Sequence, residues 1–219
     1  MERHTAYNTS AARPAVEINK VLRNTYMLLS LTLGFSAITA LISMAVGVGT
    51  IGYFAMFIGA LITLFVIHKK ANSAASLPLV FLFTGLLGAC LGPILSMYVA
   101  AGMTGVIAQA LAGTAIVFLS LSAYALISKK DFSFLGGFLM VGMVVVILAI
   151  IANIFFAMPA VSLAINAAII FIMSGFILFD TSRIIHGGET NYVLATVSLY
   201  LSIYNIFTSL LALLGAAED

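Results

Sequence analysis

Long apolar runs alternate with short polar connections along almost the whole chain. Seven of these runs are long enough for a helix to cross a hydrocarbon core of about 30 Å, which takes roughly 20 residues. They cover residues 25–46, 51–67, 77–98, 105–127, 134–156, 160–186 and 192–214. Because the connections leave no room for a domain outside the membrane, the pattern predicts an all-α membrane protein with seven transmembrane helices.

The start of the chain differs from the rest. Residues 1–24 are polar and mixed in charge, and no apolar stripe is evident in them. Such a composition favours weak order. We therefore expect a flexible N-terminal tail over 1–24, followed by the seven-helix domain over 25–219. A cleavable signal peptide is not expected, because no short apolar run with a small-residue cleavage site lies near the start.

The basic residues all fall on one side of this seven-helix arrangement. They precede the first run, lie between the second and the third and between the fourth and the fifth, and occur near the end of the sixth: Arg3, Arg13, Lys20, Arg23, Lys69, Lys70, Lys129, Lys130 and Arg183. The opposite connections carry no charge. By the positive-inside rule the N-terminus is cytoplasmic and the C-terminus lies outside. A six-helix arrangement would break this alternation.

The composition excludes several classes of protein. Hydrophobic residues make up 63% of the chain and charged residues 7%, whereas a soluble domain carries about 25% charged residues. The net charge of +2 is too small to indicate nucleic-acid binding. The single cysteine, Cys90, excludes an intrachain disulfide and a cysteine-cluster metal site.

The third run contains three glycines followed by a proline. Gly85, Gly88 and Gly92 are spaced so that another helix could approach closely. Pro93 removes a backbone donor and is expected to kink the helix. Two interpretations are open: tight helix packing, or a hinge for gating at Gly92 and Pro93.

The seventh run carries a polar stripe. Ser198, Ser202, Asn205 and Ser209 are separated by four, three and four residues, which places them on one helix face. Lipid would penalise such a face, so this helix should be surrounded by other helices. The stripe either bonds neighbouring helices together or lines a polar cavity.

Asp180 is the acidic residue that lies deepest in a predicted helix. Arg183 follows three positions later on the same face and could pair with it, and His186 lies one turn beyond. One interpretation is a local ion pair that closes the helix end before Gly187. The other is a proton-sensitive gate, because burial penalises the charged form of a carboxyl group.

No arrangement of residues indicates an enzyme. The chain lacks a His-Glu-x-x-His motif, a phosphate-binding loop and a second intramembrane acid for an aspartyl-protease pair. We therefore expect no catalytic residue, no metal and no cofactor.

Four segments resemble the Bax inhibitor-1 family. The most specific is FDTSRIIHGGETNYVLATVSLYLSIYNIF at 179–207; the others are VLRNTYMLLSLTLGFSAITA at 21–40, LLGACLGPILSMY at 86–98 and KKDFSFLGG at 129–137. The resemblance covers nearly the whole chain. Within the family, the VLRNTY start and the FLGG and IIHGGETNY loops are similar to a bacterial subgroup that modulates the membrane-anchored AAA protease FtsH.

The resemblance implies six helices around a central seventh, in agreement with the polar stripe. It also implies an inhibitor of FtsH in the bacterial inner membrane, with the protease and its associated regulators as partners. Because an unfolding motor needs a flexible chain end to grip, the tail predicts binding through the bundle and the tail. Other family members resemble pH-sensitive calcium leaks gated by two aspartates. Asp180 matches the first aspartate, but Ser202 occupies the position of the second. Because a serine and one aspartate cannot share a proton between like charges, this alternative, a cation leak gated near Asp180, is weakened.

Overall fold

The computed structural model describes residues 15–218, with side chains from Glu17 onwards. Over these residues the chain forms seven α-helices and no strand. They are α1 (Ala15–Val46), α2 (Thr50–Lys70), α3 (Ser76–Ala100), α4 (Thr104–Ser128), α5 (Leu135–Phe156), α6 (Pro159–Ile185) and α7 (Tyr192–Glu218). Each is long and apolar enough to cross a membrane. The predicted fold class and the predicted number of helices are therefore confirmed.

The largest difference from the predicted bounds is at the first helix, which begins at Ala15 and not at residue 25. Residues 15–24 of the predicted tail are thus helical, while residues 1–14 lie outside the described part of the chain. At the other end, α7 continues past the predicted residue 214 to Glu218.

The added turns of α1 have an apolar stripe that the sequence analysis missed. Ile18, Val21 and Leu22 are spaced by three residues and one, so they share one helix face. Val21 and Leu22 pack against a buried cluster that includes Ile184 of α6. Burial of this short stripe explains why the helix extends beyond the strongly apolar run.

Helix α7 is enclosed along most of its length. None of its residues from Tyr192 to Gly215 is exposed. It packs against α1, α3, α4 and α6, whereas α2 packs mainly on α3 and α5 mainly on α6. The polar stripe of α7 is thus shielded from lipid, and α2 and α5 lie further from it than the other four helices.

The three glycines of α3 form the contact with α1. A Cβ atom at Gly88 would collide with the backbone oxygen of Ser36, and one at Gly92 would lie 2.6 Å from the Cβ atom of Ser43. This close approach supports the packing interpretation of the glycines. The hinge interpretation of Gly92 and Pro93 stays a prediction.

Pro93 lies inside α3, which continues to Ala100. Because proline has no N–H, it cannot donate to the carbonyl four residues earlier, which belongs to Ala89. The hydroxyl of Ser43 on α1 donates to this carbonyl at 2.7 Å. An unsatisfied carbonyl in the hydrocarbon region costs several kcal/mol, so α1 supplies the hydrogen bond that α3 lacks.

Candidate functional site

Asp180 lies in the contact between α6 and α7, close to the end at which α7 begins. Its side chain is 6% exposed. The hydroxyl of Ser198 on α7 donates a hydrogen bond to Oδ2 of Asp180 at 2.5 Å. Such a hydrogen bond is stronger when the carboxyl group is ionised than when it is neutral. The predicted pocket residues Asp180 and Ser198 are therefore in direct contact.

Arg183 does not close the helix end by pairing with Asp180. Its guanidinium donates to Oε2 of Glu189 at 3.3 Å and lies 5.4 Å from the centre of the Phe179 ring. The interpretation as a local Asp180–Arg183 ion pair is wrong. The reason is the turn at Gly187, whose φ of 71° lets the connection fold back so that Glu189 comes within reach of Arg183.

His186 follows α6 and belongs to a second set of contacts at this end. Its Nδ1 lies 2.9 Å from the carbonyl of Ser182. The Ser182 hydroxyl also accepts a hydrogen bond from the backbone N–H of Phe132, in the connection between α4 and α5. In the same connection, hydrogen bonds from Ser133 hold the pKa of Asp131 below its usual range, and nearby His186 acts in the same direction. Ser182 was not predicted from the sequence.

The deeper members of the polar stripe bond within their own helix. The Ser202 hydroxyl donates to the carbonyl of Ser198 at 3.2 Å, and the Asn205 amide donates to that of Leu201 at 2.8 Å. Among the described residues no hydrogen bond joins Ser202 to Asp180. Ser198, one turn closer to the start of α7, is the partner instead.

Asn191 is a second polar residue that the sequence analysis missed. Its Nδ2 donates to the carbonyl of Ala71 at 3.0 Å and to Oδ1 of Asn72 at 2.8 Å. Its Oδ1 accepts the N–H groups of Val193 and Leu194 at 2.9 and 3.2 Å. Asn191 thus caps α7 and fastens the α2–α3 connection to it. An asparagine directly before an apolar run is a typical helix cap, so the capping role was readable from the sequence.

The site's chemistry is that of one buried acid among hydroxyl groups. Asp180 can bind or release one proton, and the strength of its bond to Ser198 depends on which form is present. No group of three or more His, Cys, Asp or Glu side chains that could hold a metal ion occurs in the described part of the chain.

The sequence model of the family described as "Inhibitor of apoptosis-promoting Bax1" matches residues 18–219. The chain belongs to the Bax inhibitor-1 family. The matched segment includes every site residue described above.

Individual relatives are similar over almost the full length. The modulator of FtsH protease YccA from Escherichia coli is 57% identical over 200 residues, which cover 91% of each chain. A protein named inner membrane protein YccA, from a second strain of that species, matches equally well. A Vibrio cholerae membrane protein is 52% identical over 214 residues, 96% of each chain.

Proposed function

We propose that the protein is a non-enzymatic modulator of the membrane-anchored AAA protease FtsH, resident in a bacterial inner membrane. The observation that carries this proposal is the 57% identity, over nine tenths of both chains, to a relative named as a modulator of that protease. In this proposal the protein inhibits FtsH by occupying it, with contacts from the helix bundle and from the N-terminal segment.

Occupation requires that the N-terminal segment share a compartment with the motor. We propose that the N-terminus and the connections α2–α3, α4–α5 and α6–α7 are cytoplasmic. The distribution of basic residues supports this orientation, since those of the described chain lie at that end: Lys20, Arg23, Lys69, Lys70, Lys129, Lys130 and Arg183.

Reporter fusions test the orientation. Alkaline phosphatase, which folds only outside the cytoplasm, should be active when fused after Asp219, and a green fluorescent protein there should be dark. The control is a fusion after Lys130, where both readouts should be reversed. Fluorescence after Asp219 would contradict the orientation and the odd number of membrane crossings.

The proposed inhibition rests on a contrast between the two parts of the chain. An unfolding motor needs a polar chain end to engage, and 14 residues precede α1; fully extended, these would reach roughly 50 Å at about 3.3–3.6 Å each. Behind them stands a bundle whose connections are short and fastened by Asn191 and Ser182. Each helix drawn out of lipid exposes backbone groups at high cost. A protein that is easy to engage and hard to extract would occupy the motor.

Deletion of residues 2–13 tests this mechanism. The shortened protein should be degraded more slowly by FtsH in reconstituted membranes, because the motor has too little chain to engage. If the shortened protein stays associated with FtsH, degradation of a second membrane substrate should be inhibited more strongly. Turnover is measured by pulse–chase, and association by co-purification.

The matched control replaces residues 2–13 with an equally long glycine–serine segment. Because a motor that grips any polar chain needs length more than sequence, this variant should be degraded like the full-length protein. Equal turnover of the full-length and shortened proteins, with no effect of either on the second substrate, would refute the proposal.

A second candidate function is a pH-sensitive cation leak, which the burial of Asp180 between two membrane helices favours. The position of the second acid holds Ser202, so we expect little calcium flux from loaded vesicles between about pH 5 and 8. Ser202→Asp should raise the flux, with Ser202→Asn as a neutral control of the same size. Substantial pH-dependent flux by the unaltered protein would favour the leak as its function.

A further inference from the structure

We propose that a groove between α1 and α4 binds one acyl chain of a membrane phospholipid. This inference concerns a surface away from Asp180 and does not depend on the proposed modulation of FtsH. The groove encloses about 620 Å³. Its walls include Ala37 and Leu41 of α1 and Leu111 and Ala115 of α4, and its floor includes Tyr204 and Phe207 of α7.

The groove exists because α1 and α4 both pack on α7 without packing closely on each other. Alanines at positions 37 and 115 leave room where larger side chains would close the gap. The groove is open sideways, since Leu41 and Leu111 at its edges are 59% and 56% exposed. The medium around these helices is hydrocarbon, and an unfilled gap would forfeit van der Waals contacts with it.

The dimensions of the groove fit half of a bilayer. Ile107 and Leu119 line it along α4 and are twelve residues apart, so at about 1.5 Å per residue it runs for about 18 Å. The hydrocarbon thickness of one leaflet is about 15 Å. Since α4 begins at Thr104, the groove starts near the membrane surface and ends near the midplane, as an acyl chain of that leaflet does.

A membrane-spanning helix of a partner does not fit in the same way. Such a helix needs a path of about 30 Å, whereas the groove runs for only about 18 Å along α4. Phe118 of α4 lines its inner end, and the Phe118 ring meets the Tyr26 ring of α1 with a centroid distance of 6.0 Å. This ring contact narrows the space between α1 and α4 beyond that end. The occupant is therefore a chain that enters from one leaflet only.

Binding in the groove places the acyl chain directly on α7. Phe207 is 6% exposed and the nearby Tyr200 is 1% exposed, and both line the floor. The Tyr200 hydroxyl is bonded to Ser36 of α1 at 2.6 Å and donates to the carbonyl of Thr84 at 3.2 Å. The lipid chain would thus complete the packing of the buried helix that carries the polar stripe.

The absence of tryptophan from the sequence permits a direct test. Phe207→Trp places a single fluorophore on the groove floor, and the full-length protein is reconstituted in phosphatidylcholine vesicles whose acyl chains carry bromine atoms. Bromine quenches tryptophan at contact distance, so the emission should fall roughly twofold relative to unbrominated vesicles, because an acyl chain in the groove lies about 4 Å from the ring. Phe83→Trp is the control, since Phe83 is 1% exposed and lies outside the groove.

Larger side chains in the groove should protect the tryptophan of Phe207→Trp from quenching by bromine. Ala37→Leu and Ala115→Leu, added to Phe207→Trp, should restore most of the emission, whereas Ala112→Leu on the exposed surface of α4 should not. Tyr204→Trp serves as a second reporter if Phe207→Trp fails to fold. Equal quenching with and without the filling changes, or equal quenching of Phe83→Trp, would overturn the inference. In Phe207→Trp without the filling changes, quenching that weakens as the protein-to-lipid ratio rises would show that a second copy of the protein occupies the groove. This outcome would also overturn the inference.

Discussion

Gly88→Leu should prevent α1 and α3 from packing and should strongly destabilise the bundle. A side chain at this position meets the backbone oxygen of Ser36 and the hydroxyl of Thr39, both on α1. The backbone oxygen cannot move aside by a change of rotamer, so the two helices must separate. Overpacking of a core costs about 1–3 kcal/mol. For Gly88→Leu we expect the free energy of unfolding to fall by about 3 kcal/mol or more. The measurement is the midpoint of denaturant unfolding in mild detergent.

Gly34→Leu is the matched control for this prediction. Gly34 lies inside α1, and a Cβ atom there would have no neighbour within 4 Å. The same change of residue then tests helix propensity and hydrophobicity without a collision, and it should leave the midpoint almost unchanged. Similar midpoints for the two variants would show that α1 and α3 do not meet at Gly88.

Asn191→Ala should have the second largest effect on stability. The change removes the cap on α7 and both hydrogen bonds to the α2–α3 connection. Loss of a cap costs about 0.5–2 kcal/mol, and each further hydrogen bond contributes about 0.5–1.5 kcal/mol. Since Asn191 lies at the membrane surface, where water replaces part of this loss, we expect about 2 kcal/mol in the unfolding free energy.

Two further variants separate the roles of Asn191. Asn191→Asp keeps an oxygen for the cap but loses the donor to Ala71 and Asn72. Its free energy of unfolding should lie between those of the original protein and Asn191→Ala. Asn72→Ala removes only one of the bonds and should cost about 1 kcal/mol. If Asn191→Ala were no more destabilising than Asn72→Ala, the cap on α7 would not contribute to stability.

The membrane helices were predictable because length and hydropathy alone define them. The start of α1 was not, because Glu17, Lys20 and Arg23 lower the mean hydropathy of a turn whose other face is apolar. The stripe of Ile18 and Val21 is too short to stand out from a polar segment. Only the presence of α6 beside it shows that this face is buried.

The sequence indicated the polar residues Asp180 and Ser198, but not their pairing and not the contacts of Ser182 and Asn191. Helix spacing correctly placed Asp180 and Arg183 on neighbouring turns, and it indicated a polar face on α7. It could not show that the connection turns back at Gly187 and brings Glu189 to Arg183. The choice of Ser198 as the partner of Asp180 depends on how far α7 is shifted along α6, which is set by packing and not by either helix alone.

The hydrogen bond from Ser43 to the carbonyl of Ala89 has a consequence for biogenesis. During synthesis α1 leaves the ribosome before α3, so the donor is in the membrane before the carbonyl that needs it. Without this donor, insertion of α3 into lipid would leave the Ala89 carbonyl without a hydrogen bond, at a cost of several kcal/mol. The α1–α3 pair is therefore expected to form as soon as α3 is inserted, before α4 to α7 have emerged.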